Sequence, residues 1–203
     1  MSRLMKMVDE KANKRTITVA TYKAGPGKAV VEGRLVDKRF RENFLLTGEK
    51  KPAGEFHDMI VRLLVDAACM MIEDVEVELV KVPRQECSGL NDSLSVIKGV
   101  RISKGFTKKV KSLLGGVQSC SHLRELVEAM GPSAIQGMYC IMAENESNLK
   151  ALAETPQMRR YFADSVVNSC RVWREDGTEL KKILGLLDDK QKIQDIRDIG
   201  ELQ

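Results

Sequence analysis

The stretch "FHDMIVRLLVD", residues 56–66, decides the fold class of this chain. Met59, Val61, Leu63 and Val65 recur at every second position, and Arg62 stands in the middle of this run. A period of two is typical of a β-strand that buries one face, whereas a helix repeats its apolar residues every three or four positions. We therefore predict a strand whose apolar face needs a cover.

The segments on either side of this stretch repeat its pattern. "RTITVATY" (15–22) and "KAVVEGRLVDKR" (28–39) alternate apolar and polar residues, and the turn "AGPGK" between them favours a hairpin. A polar, glycine-bearing connection (46–55) leads into the central strand. "MIEDVEVELVKVP" (71–83) then supplies another strand, which Pro83 ends because proline cannot donate to a ladder. Together they predict an antiparallel meander of about four strands.

The periodicity changes to about 3.6 residues after this meander. "SGLNDSLSVIKG" (88–99) predicts a short helix closed by Gly99, and "FTKKVKSLLGG" (106–116) predicts a second one. An apolar stripe over 122–143 predicts the longest helix, with a kink or restart at Pro132. The sequence therefore predicts an α+β fold, in which helices cover one face of the sheet.

The domain organisation follows from the same patterns. We predict a single domain, with a sheet-plus-helices core over 15–145 and a C-terminal extension over 146–203 that packs on the core. In that extension, Asp176-Gly177 stands between two short apolar runs and indicates a hairpin. The polar tail 186–203 is typical of a marginal helix or a disordered segment.

Composition limits the classes of function. The 33 Lys and Arg residues barely exceed the 29 Asp and Glu residues, the two signs are mixed along the chain, and aromatic residues make up 4%. Neither a basic arm or tail nor a base-stacking platform is indicated, so we expect no nucleic-acid partner. The sequence has neither an apolar run of about 18 residues nor the apolar centre of a signal peptide. We expect a cytoplasmic protein without a membrane partner.

Five cysteines, an odd number without a CxxC pair, argue against a disulfide framework in a reducing compartment. Cys69 and Cys140 lie among apolar residues and are expected in the core. The spacing around Cys170 favours neither a core position nor a ligand.

The remaining two cysteines and both histidines of the chain fall at predicted element ends. His57 opens a strand and Cys87 follows the last one, while Cys120 and His122 stand where the longest helix begins. Imidazole nitrogen and thiolate sulfur are the usual ligands of tetrahedral zinc, and both occur around iron–sulfur clusters. We predict a metal site made of His57, Cys87, Cys120 and His122, holding zinc or an iron–sulfur cluster. The alternative is that both cysteines are buried and that His122 bonds a nearby backbone group.

Two sets of charged residues each allow two interpretations. Asp37 and Asp58 could form a carboxylate pair, although the position of each favours a strand-end residue. Four lysines of the second helix region form a face that is either simply solvated or attracts an anionic protein partner; they are Lys104, Lys108, Lys109 and Lys111.

Three functions of different classes follow. The first is a scaffold that binds metal through the predicted site. The second is a metal-free module that binds a small molecule or acyl group in a pocket lined by methionines. The third is a thiol-dependent transferase with Cys120 as nucleophile and His122 or His57 as base.

Several short blocks also resemble a known family. They are "VEGRLVD" (31–37), "FHDM" (56–59), "VPRQEC" (82–87), "CSHLRELVEAM" (120–130) and "NSCRVWREDG" (168–177). This combination resembles a bacterial domain-of-unknown-function family, family 2889, over residues 15–184. The resemblance implies no activity, because the family has none established.

The order of elements is more distantly similar to that of the iron–sulfur cluster scaffold proteins of the NifU and IscU type. In that family three cysteines and an aspartate converge at one end of a sheet. The resemblance implies that Cys87 matches the cysteine after the last strand and that Cys120 matches the one at the long helix. The first family cysteine has no counterpart here, and His57 with Asp58 stands near its place.

Overall fold

A four-stranded antiparallel sheet forms the centre of the computed structural model, which describes residues 2–144, 147 and 166–185. The strands in chain order are β1 (Asn13–Lys23), β2 (Lys28–Arg39), β3 (Asn43–Phe44), β4 (Lys50–Lys51), β5 (Gly54–Asp66) and β6 (Met71–Lys81). The large sheet has the order β1-β2-β5-β6, and β3 pairs with β4 in a small separate sheet. The predicted antiparallel meander is confirmed.

Three α-helices follow the sheet in the described residues. They are α1 (Phe106–Leu114), α2 (Ser121–Met142) and α3 (Thr178–Gly185), and short 3-10 turns lie at Leu4–Met7, Gln85–Leu90, Ser95–Ile97 and Gly116–Gln118. The predicted longest helix is present as α2, which continues through Pro132 without a restart. Among these residues no helix has the length and apolar character needed to cross a membrane. The α+β class is confirmed.

The chain divides into two compact units, Met1–Met138 and Tyr139–Gln203. In the second unit the predicted hairpin around Asp176-Gly177 is wrong. This turn leads into α3 rather than into a strand, and the backbone N–H of Lys181 donates to the Gly177 carbonyl in the first helical turn. The prediction for the polar tail, residues 186–203, lies outside the described residues.

The core of the first unit lies between one face of the sheet and α2. The predicted apolar face of β5 is buried, with at most 1% exposure at its four alternating positions, which are Met59, Val61, Leu63 and Val65. Helix α2 contributes a buried stripe formed by Leu123, Leu126, Val127, Met130, Ala134 and Met138. On the opposite face, Arg62 pairs with Glu32 and Glu78 in a charged row that suits contact with water.

The helix predicted over 88–99 is wrong, because this segment forms two separate 3-10 turns. The Ser88 hydroxyl donates to the Gln85 carbonyl, and the Ser93 hydroxyl donates to the Leu90 carbonyl. Such local bonds compete with the i to i+4 pattern of an α-helix, which explains the shorter turns. Leu94 is nevertheless fully buried, so the apolar positions do serve the core.

Cys140 is not in the core as predicted but exposed. Residues two positions apart on a helix point about 200° away from each other. Because Met138 is buried, Cys140 points to the opposite side of the helix. Cys69 is half-buried, and its thiol and backbone N–H both contact the Asp66 carboxylate.

Glycines permit the close approach of α2 to the sheet. A side chain on Gly33 would come within 2.9 Å of Leu126 and Met130, and one on Gly137 would come within 2.2 Å of the Thr21 side chain. Helix α2 is therefore fixed relative to the strands beneath it, which positions the side chains of its first turn.

Gly137→Ala should destabilise the protein. The added methyl group would overlap the Cβ of Thr21 on β1, and this overlap should outweigh the gain of about 1 kcal/mol in helix propensity. We expect a net loss of about 1–2 kcal/mol in the free energy of unfolding, measured by urea denaturation. Gly89→Ala is the matched control, because its added methyl group meets open space. Equal or greater stability of Gly137→Ala would contradict this packing.

Candidate metal centre

A row of three polar side chains crosses the sheet at one end of its buried face. Asp37 on β2 lies directly opposite Arg15 on β1 and opposite His57 on β5. Directly opposed residues of antiparallel strands point to the same face. That face is the one on which Leu35 and Met59, each two positions away along β2 and β5, are buried. Pairing register alone thus places a carboxylate between a guanidinium and an imidazole.

A β-bulge follows this row immediately. Beyond the Asp37–His57 pair, Lys38 is opposite Glu55, so that Phe56 is left without an opposed residue. Bulges of this kind redirect the side chains next to them and are frequent beside functional sites. Only 8% of His57 is exposed, and its ring meets the Phe56 ring edge-on at a centroid distance of 5.0 Å.

Asp37 is the centre of the polar cluster. The Arg15 guanidinium donates to both of its carboxylate oxygens, Nε to Oδ1 and Nη2 to Oδ2, each at 2.8 Å. The remaining Nη1 of Arg15 donates to Glu125 of α2. Burial opposes ionisation of Asp37, but the hydrogen bonds and charge of Arg15 outweigh it and hold the pKa of Asp37 below its ordinary value. Asp37 is therefore a carboxylate at neutral pH.

His57 is held as a neutral imidazole. Burial lowers its pKa, the neighbouring His122 ring lowers it further, and Asp37 only partly opposes these effects. Nδ1 of His57 lies 3.0 Å from Oδ2 of Asp37. Because an ionised carboxylate only accepts hydrogen bonds, we assign the proton of His57 to Nδ1 in the metal-free protein.

The start of α2 brings two more groups to this row. The backbone N–H of Arg124 donates to the Cys120 carbonyl, which makes Cys120 the N-cap residue of the helix. Two residues later, His122 lies with its ring centroid 3.9 Å from that of His57. Its Nε2 is 3.6 Å from Oδ2 of Asp37, and its Nδ1 is 3.3 Å from Sγ of Cys120. The His122 ring thus lies between a thiol and a carboxylate.

Cys120 is an unusual N-cap, since Ser, Thr, Asp and Asn are preferred there. Its sulfur accepts the backbone N–H of His122 at 3.4 Å. Burial would raise the pKa of the thiol, but hydrogen bonds from the His122 side chain and from the backbone of Leu123 and His122 bring it below the ordinary value. The first turn of a helix favours a thiolate in this way.

Three of these side chains have the spacing of metal ligands. One ligand atom each from Asp37, His57 and His122 lies within 4.8 Å of the others. Zinc binds nitrogen and oxygen at about 2.0–2.2 Å, so ligand atoms around a tetrahedral ion are separated by roughly 3.3–3.6 Å. Oδ2 of Asp37 lies 3.0 Å from the nitrogen of His57, slightly below that range, and 3.6 Å from the nitrogen of His122, at its upper end. Small movements would allow all three to contact one ion.

The four residues of the predicted metal site do not all lie together in the structure. The rings of His57 and His122 lie against each other at a tilt of 33°, and Cys120 contacts His122. Cys87 lies half-buried in the 3-10 turn Gln85–Leu90. Among the described residues, neither Cys87 nor Cys120 belongs to the group whose ligand atoms converge.

Sequence reasoning missed the contribution of Asp37 and did not single out Arg15 or Glu125. The available signal was the register of the predicted hairpins, since an aspartate near the end of β2 faces a histidine near the start of β5. Asp58, the other weighed carboxylate, is 2% exposed and pairs with Arg34. Asp37 and Asp58 therefore have separate partners in the structure.

The lysine face lies on and just before α1. Lys104, Lys108, Lys109 and Lys111 are all exposed, and Nζ of Lys111 lies 3.7 Å from Glu128 of α2. A protein partner at this face stays a prediction.

Arg15→Gln should destabilise the metal-free protein by about 1–3 kcal/mol, because it leaves the mostly buried Asp37 carboxylate without its paired cation. The depressed pKa of Asp37 means that this pair stabilises the fold above the ordinary aspartate pKa. The difference in unfolding free energy between Arg15→Gln and the wild type should thus shrink as acid protonates Asp37. Urea denaturation at several pH values would detect this change. Arg41→Gln, which breaks an exposed pair with Glu10, is the control and should change stability by less than about 0.5 kcal/mol. Equal effects of both substitutions would contradict the central position of Asp37.

Comparison with known proteins identifies the family of the chain. Neither a curated protein nor a solved structure matches it, so the resemblance to NifU and IscU scaffolds gains no support. A family model does match residues 13–136, a range that includes the Arg15–Asp37–His57 row and the start of α2. The chain belongs to the family described as "Protein of unknown function (DUF2889)".

Proposed function

We propose that the protein binds one divalent transition-metal ion through Asp37, His57 and His122. The observation that carries this proposal is the convergence of one carboxylate oxygen and two imidazole nitrogens within 4.8 Å. Two histidines with one carboxylate are a common ligand set of zinc and of non-haem iron(II). A neutral imidazole and an ionised carboxylate are the charge states that metal ligands require. Coordination through Nδ1 of His57 would shift the proton of this ring to Nε2.

The surroundings of the three ligands favour a reactive site over a purely structural one. Three protein ligands leave at least one coordination position for water or a substrate, as in catalytic zinc sites. The side chains are mostly but not fully buried, with exposures of 10% for His57, 14% for Asp37 and 23% for His122. Solvent therefore reaches the His122 side of the cluster, where a metal-bound water could supply a nucleophile.

Arg15 and Cys120 would orient the ligands from outside. Arg15 bonds both oxygens of Asp37, so a metal ion would share Oδ2 with it. Cys120 faces Nδ1 of His122, which directs Nε2 of this ring towards Asp37. Partners of this type fix the orientation and tautomer of metal-binding side chains. Because the converging ligand atoms are nitrogen and oxygen, the proposal is a mononuclear ion and not an iron–sulfur cluster.

Isothermal titration with Zn²⁺ tests this proposal on metal-depleted protein. We expect saturation at one equivalent, with an affinity that falls at low pH because protons compete for the imidazoles. Asp37→Asn, His57→Gln and His122→Gln should each weaken binding by at least about tenfold.

Cys87→Ser is the matched control and should bind Zn²⁺ like the wild type, because Cys87 is outside the converging group among the described residues. The double variant His57→Gln/His122→Gln removes every histidine of the chain. Unchanged zinc binding by this variant, or no binding by the wild type, would rule out the site.

A second candidate function is thiol-dependent group transfer with Cys120 as the nucleophile. The specific observation in its favour is the distance of 3.3 Å between Sγ of Cys120 and Nδ1 of His122. With Asp37 at the other nitrogen of the ring, the three residues form the order of nucleophile, base and orienting carboxylate found in several unrelated hydrolases.

Alkylation kinetics distinguish this candidate. At neutral pH, iodoacetamide should modify half-buried Cys120 faster than the exposed Cys140 and Cys170, which serve as references within the same chain. His122→Gln should slow the reaction of Cys120 by at least about tenfold, in the range by which a general base contributes. A Cys120 that reacts more slowly than both exposed cysteines would eliminate the candidate.

A further inference from the structure

The thiol of Cys120 is in direct contact with one of the three residues assigned to the metal. Its sulfur lies 3.3 Å from Nδ1 of His122 and 3.4 Å from the backbone N–H of the same residue. The opposite nitrogen of the ring faces Asp37 at 3.6 Å. The orientation of the His122 ring therefore depends on the chemical state of a sulfur atom that itself need not bind the metal.

The space between the sulfur and the ring is already at contact distance. An oxygen atom added to Sγ on this side would have to occupy the gap of 3.3 Å between sulfur and Nδ1, which is too short to hold it without movement. Cys120 is the helix cap, and the buried residues Leu123 and Leu126 fix the turn that follows it. The His122 side chain, which is half-buried, is thus the part that is freest to move.

We propose that Cys120 is an oxidation site and that its conversion to a sulfenic acid releases the metal ion. This inference rests on the proposed metal-binding function, and it adds a means of regulating the same site. The oxidant is a hydroperoxide. A displaced His122 ring no longer presents Nε2 beside Asp37, so one of the three ligands is lost.

The reaction is a two-electron oxidation of sulfur. The sulfur lone pair attacks one peroxide oxygen, the O–O bond breaks as the S–O bond forms, and the thiol proton passes to the leaving oxygen. With hydrogen peroxide the products are cysteine sulfenic acid and water. A low-molecular-weight thiol reverses the change by forming a mixed disulfide with loss of water, and a second thiol then restores Cys120.

The state of the metal site should affect the thiol as well. Linkage requires that if oxidation weakens metal binding, bound metal opposes oxidation by the same factor at equilibrium. Cys120 has this direct contact with a ligand residue, whereas Cys140 and Cys170 are exposed thiols. They provide an internal reference for general oxidation.

The test uses the full chain loaded with one equivalent of Zn²⁺ and treated with hydrogen peroxide. A chromogenic chelator reports released zinc, and dimedone trapping with mass spectrometry reports sulfenic acid at each cysteine. We expect zinc release to follow oxidation of Cys120, with a fall in zinc affinity of about 10–100-fold, the range typical of lost outer-shell partners. Treatment with dithiothreitol should restore binding.

Matched variants separate Cys120 from the other thiols. Cys140→Ser/Cys170→Ser should release zinc like the wild type, whereas in Cys120→Ser, whatever its starting zinc affinity, peroxide should cause no further release of zinc. If Cys120→Ser takes up no zinc, the time courses of zinc release and Cys120 oxidation in the wild type decide the question.

Different outcomes identify different failures. Absence of zinc binding before oxidation overturns the proposed function and the switch together. Zinc that stays bound while mass spectrometry shows Cys120 fully oxidised overturns the switch and leaves the metal site standing. Zinc release that follows oxidation of Cys140 or Cys170, and not of Cys120, also overturns the switch.

Discussion

The Asp37 carboxylate is the constraint around which the polar end of this fold is arranged. A charged group that is mostly removed from water needs a partner, and Arg15 supplies one through two parallel hydrogen bonds across neighbouring strands. The same oxygen that accepts Nη2 of Arg15 faces His57 and His122. Pairing of β1 with β2 and of β2 with β5 in one register is therefore required for the cluster, since a slip of one residue would send Asp37 to the opposite face.

The approach of α2 completes what the sheet begins. Gly33 lets Leu126 and Met130 pack directly on β2, and Gly137 lets the helix pass close to Thr21 on β1. With these contacts made, the first turn of the helix lies over the Arg15–Asp37–His57 row, and Glu125 reaches Arg15. Packing of apolar and small residues thus positions the imidazole of His122, which has no part in the core itself.

Both chemistries considered for this protein depend on the His122 ring. Bound to metal through Nε2, it would be oriented by Cys120. In thiol chemistry, Nδ1 of the same ring would receive the proton of Cys120. The two uses exclude each other at a given moment, because one ring cannot direct its lone pair to both sides. This competition gives a physical reason why the state of the thiol and the occupancy of the metal site should be coupled.

Local sequence patterns were sufficient to predict the α+β class, the four long strands and the longest helix, because strand and helix periodicities are properties of neighbouring residues. They also drew attention to His57, Cys120 and His122 as chemically special residues at element ends. They failed at 88–99, where serine side chains bond the backbone, and at Cys140, where the orientation of the helix decides exposure. They also failed after Gly177, where a helix follows the turn. The tertiary structure alone decided that Asp37 joins the two histidines and that Cys87 does not. Residues 37, 57 and 122 are far apart in the chain, and only strand register and the docking of α2, which depend on contacts across the whole core, determine whether their side chains meet.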